Sequence, residues 1–253
     1  MERLIVSRMT DGRPEIFASV QGEGVSMGVP STFVRLAVCN LRCRWCDTDY
    51  TWDWQRFDRA ASTMVLGAEE AAAAVRALPP RNVVITGGEP LLQRRQLVPL
   101  VETLRAEGYR FEVETNGTVG PGPLGERIDQ FNVSLDFPDA RHDEFRMYPG
   151  LFAHLNEVVP KCAAYGFDDI VLNTCITAAN VAEINAVADK AREWGVNICI
   201  SAYSARRTGC RELFPGTPEL LAILNRELDR LESRRDETNW IVSAPTTIEA
   251  TRR

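Results

Sequence analysis

The residues T-F-V-R-L-A-V at 32–38 and C-N-L-R-C-R-W-C at 39–46 decide how the fold of this chain is interpreted. The first stretch is mostly apolar and contains β-branched side chains, which predicts a buried strand. The second stretch places Cys39, Cys43 and Cys46 directly after that strand, in C-x3-C-x2-C spacing. Three thiolates on such a turn can bind three irons of a [4Fe–4S] cube and leave the fourth iron without a protein ligand.

A structural zinc site and three buried thiols are the two other interpretations of these cysteines. A structural zinc ion normally has four ligands in paired spacing. Neither a histidine nor a fourth cysteine lies close to the three in the sequence. The iron–sulfur interpretation is therefore favoured.

The composition is that of an ordinary globular chain. Of the 253 residues, 45% are hydrophobic and 25% are charged, which is sufficient for a single domain over residues 1–253. No stretch reaches the roughly 18 apolar residues of a membrane span, and the N-terminus lacks the layout of a signal peptide. The net charge is −6 with both signs interspersed, so we expect neither a nucleic-acid partner nor a membrane partner.

The chain contains seven cysteines, which fit a reducing cytoplasm better than a disulfide framework. We therefore expect a cytoplasmic protein. The four cysteines outside the cluster run contain no C-x2-C pair, and we expect ordinary thiols there, with a second metal cluster as the alternative. These four are Cys162, Cys175, Cys199 and Cys210.

Apolar runs alternate with amphipathic stretches after residue 30. The predicted strands lie near 32–38, 82–86, 110–115, 131–135, 169–174 and 197–202, and the predicted helices near 68–78, 94–107, 150–165, 180–194 and 217–233. Such alternation predicts a parallel sheet with right-handed crossovers. About six βα units indicate an α/β fold, a partial (β/α)6 TIM-like barrel. In such sheets the chemistry gathers at the C-terminal strand ends, where Cys39 lies.

The second predicted strand ends in Gly87-Gly88-Glu89-Pro90. Paired glycines allow a ligand to approach the backbone closely, because they carry no Cβ. A carboxylate beyond them could accept hydrogen bonds from a cationic amine. By itself, the same sequence is also compatible with a plain strand-to-helix turn.

Short polar side chains follow the third and fourth predicted strands: Thr115 and Asn116 after the third, and Ser134 and Asp136 after the fourth. At these strand ends they could meet ribose hydroxyls and a carboxylate. Since Asn-Gly is a frequent turn signal, a simple loop is the alternative at 116–117.

The segment 15–31 is rich in glycine and precedes the first of these strands. Gln21 and Glu23 flank Gly22 and offer an amide and a carboxylate on an accessible backbone. Such groups could recognise the donors and acceptors of a nitrogen heterocycle. The alternative is a polar loop that covers the mouth of the barrel.

The cysteine run, followed one βα unit later by G-G-E, resembles the signature of the radical SAM superfamily. The resemblance implies a [4Fe–4S] cluster on Cys39, Cys43 and Cys46, with S-adenosylmethionine (SAM) on the open iron. It also implies cleavage of SAM to a 5′-deoxyadenosyl radical. The residues implied to contact SAM are Gly87, Gly88, Glu89, Thr115, Asn116, Ser134 and Asp136.

A more specific resemblance covers residues 15–118. The motifs F-x-S-x-Q-G-E-G, G-x-P-S-x-F-V-R-L, C-N-L-R-C-x-W-C-D-T-x-Y-T-W, I-T-G-G-E-P-L-L-Q and E-T-N-G-T are similar to those of the 7-carboxy-7-deazaguanine synthase family. That resemblance implies a lyase on the route to queuosine precursors. It would convert 6-carboxy-5,6,7,8-tetrahydropterin to the 7-deazapurine 7-carboxy-7-deazaguanine, with loss of ammonia.

The same resemblance implies a pterin-like substrate held by Gln21, Gly22, Glu23 and Arg35. The planar fork of Arg35 suits a carboxylate, because it can donate two parallel hydrogen bonds. Thr48, in the cluster loop 39–52, would bind Mg²⁺ through its hydroxyl. The alternative for Thr48 is capping of the helix that follows.

Beyond residue 130 the likeness is to radical SAM proteins in general. The stretch S-L-D-F-P-D-A-R-H-D at 134–143 stands where a Ser-Pro-Lys type sequence is expected, and it is more similar to enzymes that modify peptides, cofactors or lipids. A radical SAM enzyme acting on a peptide, nucleoside or small metabolite is therefore the first alternative, and a non-enzymatic iron–sulfur protein the second. We expect His142 in a surface loop and His154 in a structural helix position.

The resemblance also implies an electron donor such as flavodoxin or ferredoxin, because SAM cleavage requires one electron. A homodimer is compatible with the sequence. A strand-like piece at 240–245 lies close to the end of the chain, and a shortened C-terminus stays open as an interpretation.

Overall fold

The computed structural model describes residues 3–167, 169–235, 240–243, 248–249 and 251. The chain divides into two compact units. The first unit comprises Met1–Gln21, Gly28–Arg42 and Thr48–Phe131, and the second comprises Gly22–Met27, Cys43–Asp47 and Asn132–Arg253. The single domain expected over the whole chain stays a prediction.

The first unit contains six strands and three α-helices within its described residues. The strands are β1 (Arg3–Ser7), β2 (Ile16–Val20), β3 (Pro30–Leu36), β4 (Thr63–Gly67), β5 (Asn82–Gly87) and β6 (Arg110–Thr115). The helices are α1 (Arg59–Ser62), α2 (Ala68–Arg76) and α3 (Arg94–Ala106), with 3-10 turns at Asp49–Thr51, Pro90–Gln93 and Gly122–Arg127.

The strands of the first unit run in the order β4-β1-β3-β5-β6, and β2 also pairs with β3. β3, β5 and β6 are parallel, whereas β1 and β2 pair with β3 in the antiparallel direction. Val83, Val84 and Ile85 in β5 are fully buried, as expected for a strand covered on both faces. The strands predicted near 32–38, 82–86 and 110–115 are confirmed.

The antiparallel strands at the N-terminus were not predicted. β2 occupies part of the segment that the sequence assigned to a polar loop, and it pairs along its whole length with β3, from Ile16 opposite Val34 to Val20 opposite Pro30. β1 pairs with β4, where Arg3 lies opposite Gly67. Both strands have five residues and pair in the antiparallel direction, outside the strand–helix alternation that predicts the parallel strands.

The second unit contains parallel strands and the remaining helices. β7 (Gln130–Ser134) contributes its last three residues to this unit, followed by β8 (Ile170–Ile176) and β9 (Asn197–Ala202). The helices are α4 (Arg141–Arg146), α5 (Leu151–Ala164), α6 (Ile184–Trp194), α7 (Ala205–Thr208) and α8 (Pro218–Ser233), with 3-10 turns at Val181–Glu183 and Arg211–Leu213. β8 and β9 are parallel.

All predicted strands and long helices of this half are confirmed, and α4 was not predicted. The strand-like piece is confirmed where it is described, since Ile241 forms a parallel bridge with Ile198 of β9. Residues 244–245 of that piece lie outside the described residues. Within the described residues, no helix is long and apolar enough to cross a membrane.

Candidate functional site

The cluster loop begins with a strained residue. Val38, directly before Cys39, has a φ of 77°, a left-handed conformation that is rare for a β-branched side chain. Two backbone hydrogen bonds hold it there: its N–H donates to Thr51 (2.7 Å) and its carbonyl accepts from the N–H of Glu89 (2.8 Å). Such backbone strain of about 1–3 kcal/mol is typical of functional sites.

The sulfur of Cys39 has donors suited to a thiolate. The backbone N–H of Leu41 lies 3.4 Å from it, and the side-chain amide of Asn116 lies 3.9 Å from it. All seven cysteines are free thiols, and those of the cluster loop are half-buried. Three unbridged thiols, one of them already accepting hydrogen bonds, fit the ligand set of an iron–sulfur cluster.

Cys43 and Cys46 lie in the second unit, where a turn joins them: the N–H of Cys46 donates to the carbonyl of Cys43 (3.2 Å). Burial raises the pKa of the Cys43 thiol, and the positive charge of Arg146 opposes this rise. Among the described residues, no group of three or more His, Cys, Asp or Glu side chains lies where it could hold a single metal ion.

The backbone around Gly87 and Gly88 leaves no room for a side chain at either position. A Cβ on Gly87 would lie 2.1 Å from the carbonyl oxygen of Leu36, and one on Gly88 would lie 2.1 Å from that of Val38. The N–H of Gly88 donates to Leu36 (2.9 Å) at the same place. The two glycines therefore let the turn after β5 pack against the backbone that leads into the cluster loop. Their contact with SAM stays a prediction.

The three polar residues that follow β5 and β6 come together as the strand-end argument expects. Glu89 is fully buried, and its carboxylate accepts hydrogen bonds from the hydroxyl of Thr115 (2.8 Å) and from the backbone N–H of Asn116 (2.8 Å). The N–H of Leu91 is a third donor (2.9 Å). Burial raises the pKa of Glu89 to about 7, and these hydrogen bonds oppose the rise.

The pKa of Glu89 predicts a pH dependence of stability. Because the folded state holds this proton more tightly than the unfolded state, the group stabilises the fold at low pH. That contribution is lost as the pH rises from the ordinary value of 4.5 through about 7. We expect a loss of up to about 3 kcal/mol in the free energy of unfolding.

Urea unfolding of the wild type and of Glu89→Gln across this pH range measures the effect. The free energy of unfolding should fall more steeply with pH in the wild type than in the variant. Parallel curves for the two proteins would contradict the raised pKa.

Gln21, which the sequence singled out, lies in a buried group of acids and amides in the first unit, and the other members of the group were not predicted. The side-chain nitrogen of Gln21 is 3.1 Å from Glu112 and 3.4 Å from Glu114. Thr86 donates to Glu114 (2.5 Å), and Asn82 donates to Glu112 (2.8 Å). Burial raises the pKa of Glu114. The E-V-E alternation in β6 is the signal that could have found it, since residues two apart share one face of a strand.

Arg35 lies within reach of the same group. Its positive charge lowers the pKa of Glu114, against the effect of burial. Its Nε is 2.8 Å from a carboxylate oxygen of Glu15, which also accepts from the hydroxyl of Tyr50 (2.9 Å). Arg35 is therefore already bound to a carboxylate in the protein.

Gly22 and Glu23 lie in the second unit. Gly22 is exposed, and a Cβ there would meet nothing within 4 Å. Burial raises the pKa of Cys175 and of Cys199, and the negative charge of Glu23 adds to both rises.

Ser134 ends β7 and is half-buried. Asp136 is fully buried, and its carboxylate accepts from Arg146 Nε (2.7 Å) and from the backbone N–H of Cys175 (3.3 Å). Contact of Ser134 and Asp136 with SAM stays a prediction.

The expectation of a surface position for His142 is wrong. It lies in α4 with no exposed side-chain surface, and its Nδ1 accepts from the backbone N–H of Asp136 (3.2 Å). Burial lowers its pKa to about 4, so the imidazole is neutral at pH 7. His154 lies in α5 as expected.

Thr48 is buried and precedes the 3-10 turn Asp49–Thr51. Its side chain makes no capping hydrogen bond, although its carbonyl accepts from the N–H of Thr51 (2.9 Å). Thr48 therefore occupies the cap position of this turn, as the alternative predicts, but its hydroxyl does not cap the turn. The magnesium role stays a prediction.

Residues 34–191, more than half of the chain, match the radical SAM superfamily. The chain belongs to this superfamily, which implies a [4Fe–4S] cluster and SAM as its cofactors.

Within the superfamily, the chain is similar to proteins named 7-carboxy-7-deazaguanine synthase. It is 50% identical to that of Hyperthermus butylicus over 109 residues, 43% of each chain. It is 48% identical to that of Pyrobaculum aerophilum over 129 residues, 50% of this chain and 55% of that protein. The chain spans about half the length of the curated relatives it matches.

Solved structures show the fold. QueE from Escherichia coli matches with a TM-score of 0.58 and 19% identity over 91% of both chains. SuiB from Streptococcus suis, bound to the precursor peptide SuiA, matches with a TM-score of 0.60 and 16% identity over 78% of this chain and 44% of SuiB. The α/β fold is that of the radical SAM enzymes, and the predicted partial TIM-like barrel is confirmed.

Proposed function

We propose that the protein is a radical SAM lyase that converts 6-carboxy-5,6,7,8-tetrahydropterin to 7-carboxy-7-deazaguanine with loss of ammonia. The observation that carries the proposal is the group formed by Gln21, Glu112, Glu114 and Arg35 in the first unit. A pterin presents N–H donors that buried carboxylates can accept, and its carboxylate needs a cation. The names of the relatives support the same substrate.

The cofactor residues are proposed as the sequence predicted them. Cys39, Cys43 and Cys46 would hold the cluster, which supplies the electron that cleaves SAM. Besides the cysteines, the turn after β5 and the ends of β6 and β7 would hold SAM. The residues of these segments are Gly87, Gly88, Glu89, Thr115, Asn116, Ser134 and Asp136.

Substrate orientation is proposed to rest on Arg35. Its ion pair with Glu15 demonstrates that the guanidinium is presented to a carboxylate oxygen at 2.8 Å. A substrate carboxylate can share or replace that partner, and the planar fork would fix its angle. Gln21, Gly22 and Glu23 would then contact the ring.

Thr48 is proposed as a ligand of Mg²⁺, which would also meet the substrate carboxylate. Support comes from its position in the cluster loop, two residues after Cys46. A hydroxyl oxygen suits a hard cation that keeps several waters.

An acidic one-electron carrier such as flavodoxin or ferredoxin is proposed as the electron donor. Two exposed arginines of the second unit support this. Arg207 lies 3.4 Å from Asp47 of the cluster loop, and Arg44, which belongs to that loop, lies 3.6 Å from Glu212. Such a surface attracts acidic partners.

A homodimer and a cytoplasmic location complete the proposal. β4 ends the strand order of the first unit and exposes Val65, as a strand used for pairing would. A reducing compartment would keep the seven cysteines as free thiols.

Anaerobic incubation of reconstituted protein with SAM, a strong reductant, Mg²⁺ and 6-carboxytetrahydropterin tests the function. Mass spectrometry should show a product lighter by one ammonia. Arg35→Ala should raise the KM for the pterin at least tenfold, whereas Arg13→Ala, an exposed arginine paired with Asp11, should leave it unchanged. Release of 5′-deoxyadenosine with unchanged pterin would overturn the proposed substrate but would support the radical chemistry.

A further inference from the structure

A buried ion pair lies in the second unit beside one ligand of the predicted cluster. Arg146, the last residue of α4, has only 11% of its side chain exposed, and its Nε is 2.7 Å from a carboxylate oxygen of Asp136. Asp136 is fully buried. Because charges are costly to bury, such a pair persists only where each partner compensates the other.

Asp136 has two further hydrogen-bond partners. Its second carboxylate oxygen accepts from the N–H of Cys175 (3.3 Å), and its own N–H donates to His142 (3.2 Å). Since burial keeps His142 neutral, the neighbouring imidazole adds no charge at pH 7. A guanidinium stays protonated over the whole physiological range, so the charge of Arg146 is permanent.

Arg146 contacts the cluster loop in two places. The Sγ of Cys43 is 3.9 Å from the carbonyl oxygen of Arg146, and the guanidinium carbon lies 4.6 Å from the ring centre of Trp45. Trp45 itself packs on Phe145, the preceding residue of α4 (5.0 Å between ring centres). The end of α4 is thus packed against the residues that separate Cys43 from Cys46.

The two charges lie differently with respect to the cluster loop. The guanidinium of Arg146 packs on Trp45, which lies between Cys43 and Cys46 in the sequence, whereas the carboxylate of Asp136 is bound by Arg146 and by the backbone N–H of Cys175. Because the cation is the partner that contacts the loop, the loop experiences a net positive field. Reduction of a cluster adds one negative charge, so the same net positive field favours the reduced form. Charge and hydrogen bonding around the sulfurs are the protein's means of setting a cluster potential.

We propose that Arg146, held in place by Asp136, raises the reduction potential of the cluster bound through Cys43. The inference rests on the proposed function only in requiring the cluster. Arg146 is a positioning charge, since it acts through the sulfur of Cys43 and not on the substrate. Asp136 and Arg146 thereby acquire a common role.

Redox titration of the reconstituted cluster, followed by electron paramagnetic resonance without SAM, tests the proposal. Arg146→Gln should shift the midpoint potential to a more negative value, because the cation is lost. Asp136→Asn should shift it to a more positive value, because the opposing anion is lost. Arg146→Lys keeps the charge and should stay closer to the wild type than Arg146→Gln.

Arg141→Gln is the matched control. Arg141 lies on the same helix and is also ion-paired, to Asp139 and Glu183, but 47% of its side chain is exposed. Arg141→Gln changes the net charge by the same amount as Arg146→Gln, but at a position that solvent screens. The midpoint potential of the cluster should therefore stay at the wild-type value.

A structural role alone predicts a different result, because breaking the pair from either side would destabilise the apo-protein in the same direction. Shifts of equal sign for Arg146→Gln and Asp136→Asn, or shifts no larger than that of Arg141→Gln, would overturn the proposal. If Arg146→Gln does not fold, Asp136→Asn and Arg146→Lys carry the test.

The outcomes also separate this proposal from the proposed function. If the cluster forms but Arg146→Gln and Asp136→Asn do not shift its midpoint potential in opposite directions, only the role of Arg146 is overturned. If the two variants shift the potential in opposite directions but the pterin is not converted, the role of Arg146 is supported and only the proposed substrate is overturned. A wild-type protein that takes up no cluster overturns both.

Discussion

Cys43→Ala is expected to abolish both cluster uptake and SAM cleavage. The spacing provides three thiolates for three irons, and no histidine or fourth cysteine near them in the sequence could replace one. A cluster with two thiolate ligands has two open irons and is lost or misoriented toward SAM. Iron and sulfide content after anaerobic reconstitution, together with release of 5′-deoxyadenosine, measures the effect. We expect at least a thousandfold loss of SAM cleavage.

Cys162→Ala is the control for this experiment. Cys162 is also a half-buried free thiol, but it lies in α5, far in sequence from the cluster loop. Its replacement should leave iron content and SAM cleavage at the wild-type level. Full SAM cleavage by Cys43→Ala would contradict the cluster assignment. An equal loss in Cys162→Ala would indicate a general effect of removing thiols.

The second large effect is expected for Gly88→Ala, which should destabilise the apo-protein by about 3 kcal/mol or more. The added Cβ would lie 2.1 Å from the carbonyl oxygen and 2.5 Å from the carbonyl carbon of Val38. Both are backbone atoms, so they cannot move aside as the end of a side chain can. The chain leading to Cys39 must shift instead, and cluster uptake should fall with stability.

Gly120→Ala separates this clash from the general effect of replacing glycine. A Cβ on Gly120 would meet nothing within 4 Å, and its φ is not in the left-handed region. Thermal and urea unfolding of the two variants should show a large loss for Gly88→Ala and little change for Gly120→Ala. Equal stability of the two would show that the turn after β5 can open without cost.

The sequence predicted the parallel strands and long helices because each has its own local pattern. The apolar run at 82–86 became β5, and the amphipathic stretch at 94–107 became α3. β1, β2 and β4 have five residues each and pair in the antiparallel direction, outside the strand–helix alternation that predicts the parallel strands. The short helix α4 was also not predicted, because its six residues are mostly polar.

The site divides in the same way. Three parts of the site could be predicted: the cysteine spacing, the glycine pair and the polar residues at the end of β6. Each part consists of residues that are close in sequence and lie at the end of one strand. For the glycine pair the sequence predicts space for a ligand, and the structure adds a second reason, the close approach of two backbone segments. Only the pairing of strands could reveal that contact.

The sequence by itself determined the radical SAM class of the protein and the order of the parallel strands and long helices, and it predicts the cluster ligands, since all three depend on short-range spacing and periodicity. The tertiary structure alone decided which polar side chains are buried and with whom. Glu112 and Glu114 share the side-chain amide of Gln21, which follows β2, and Asp136 binds Arg146 from the following helix. Burial and charge pairing depend on distances between separate elements, and a linear pattern does not contain those distances.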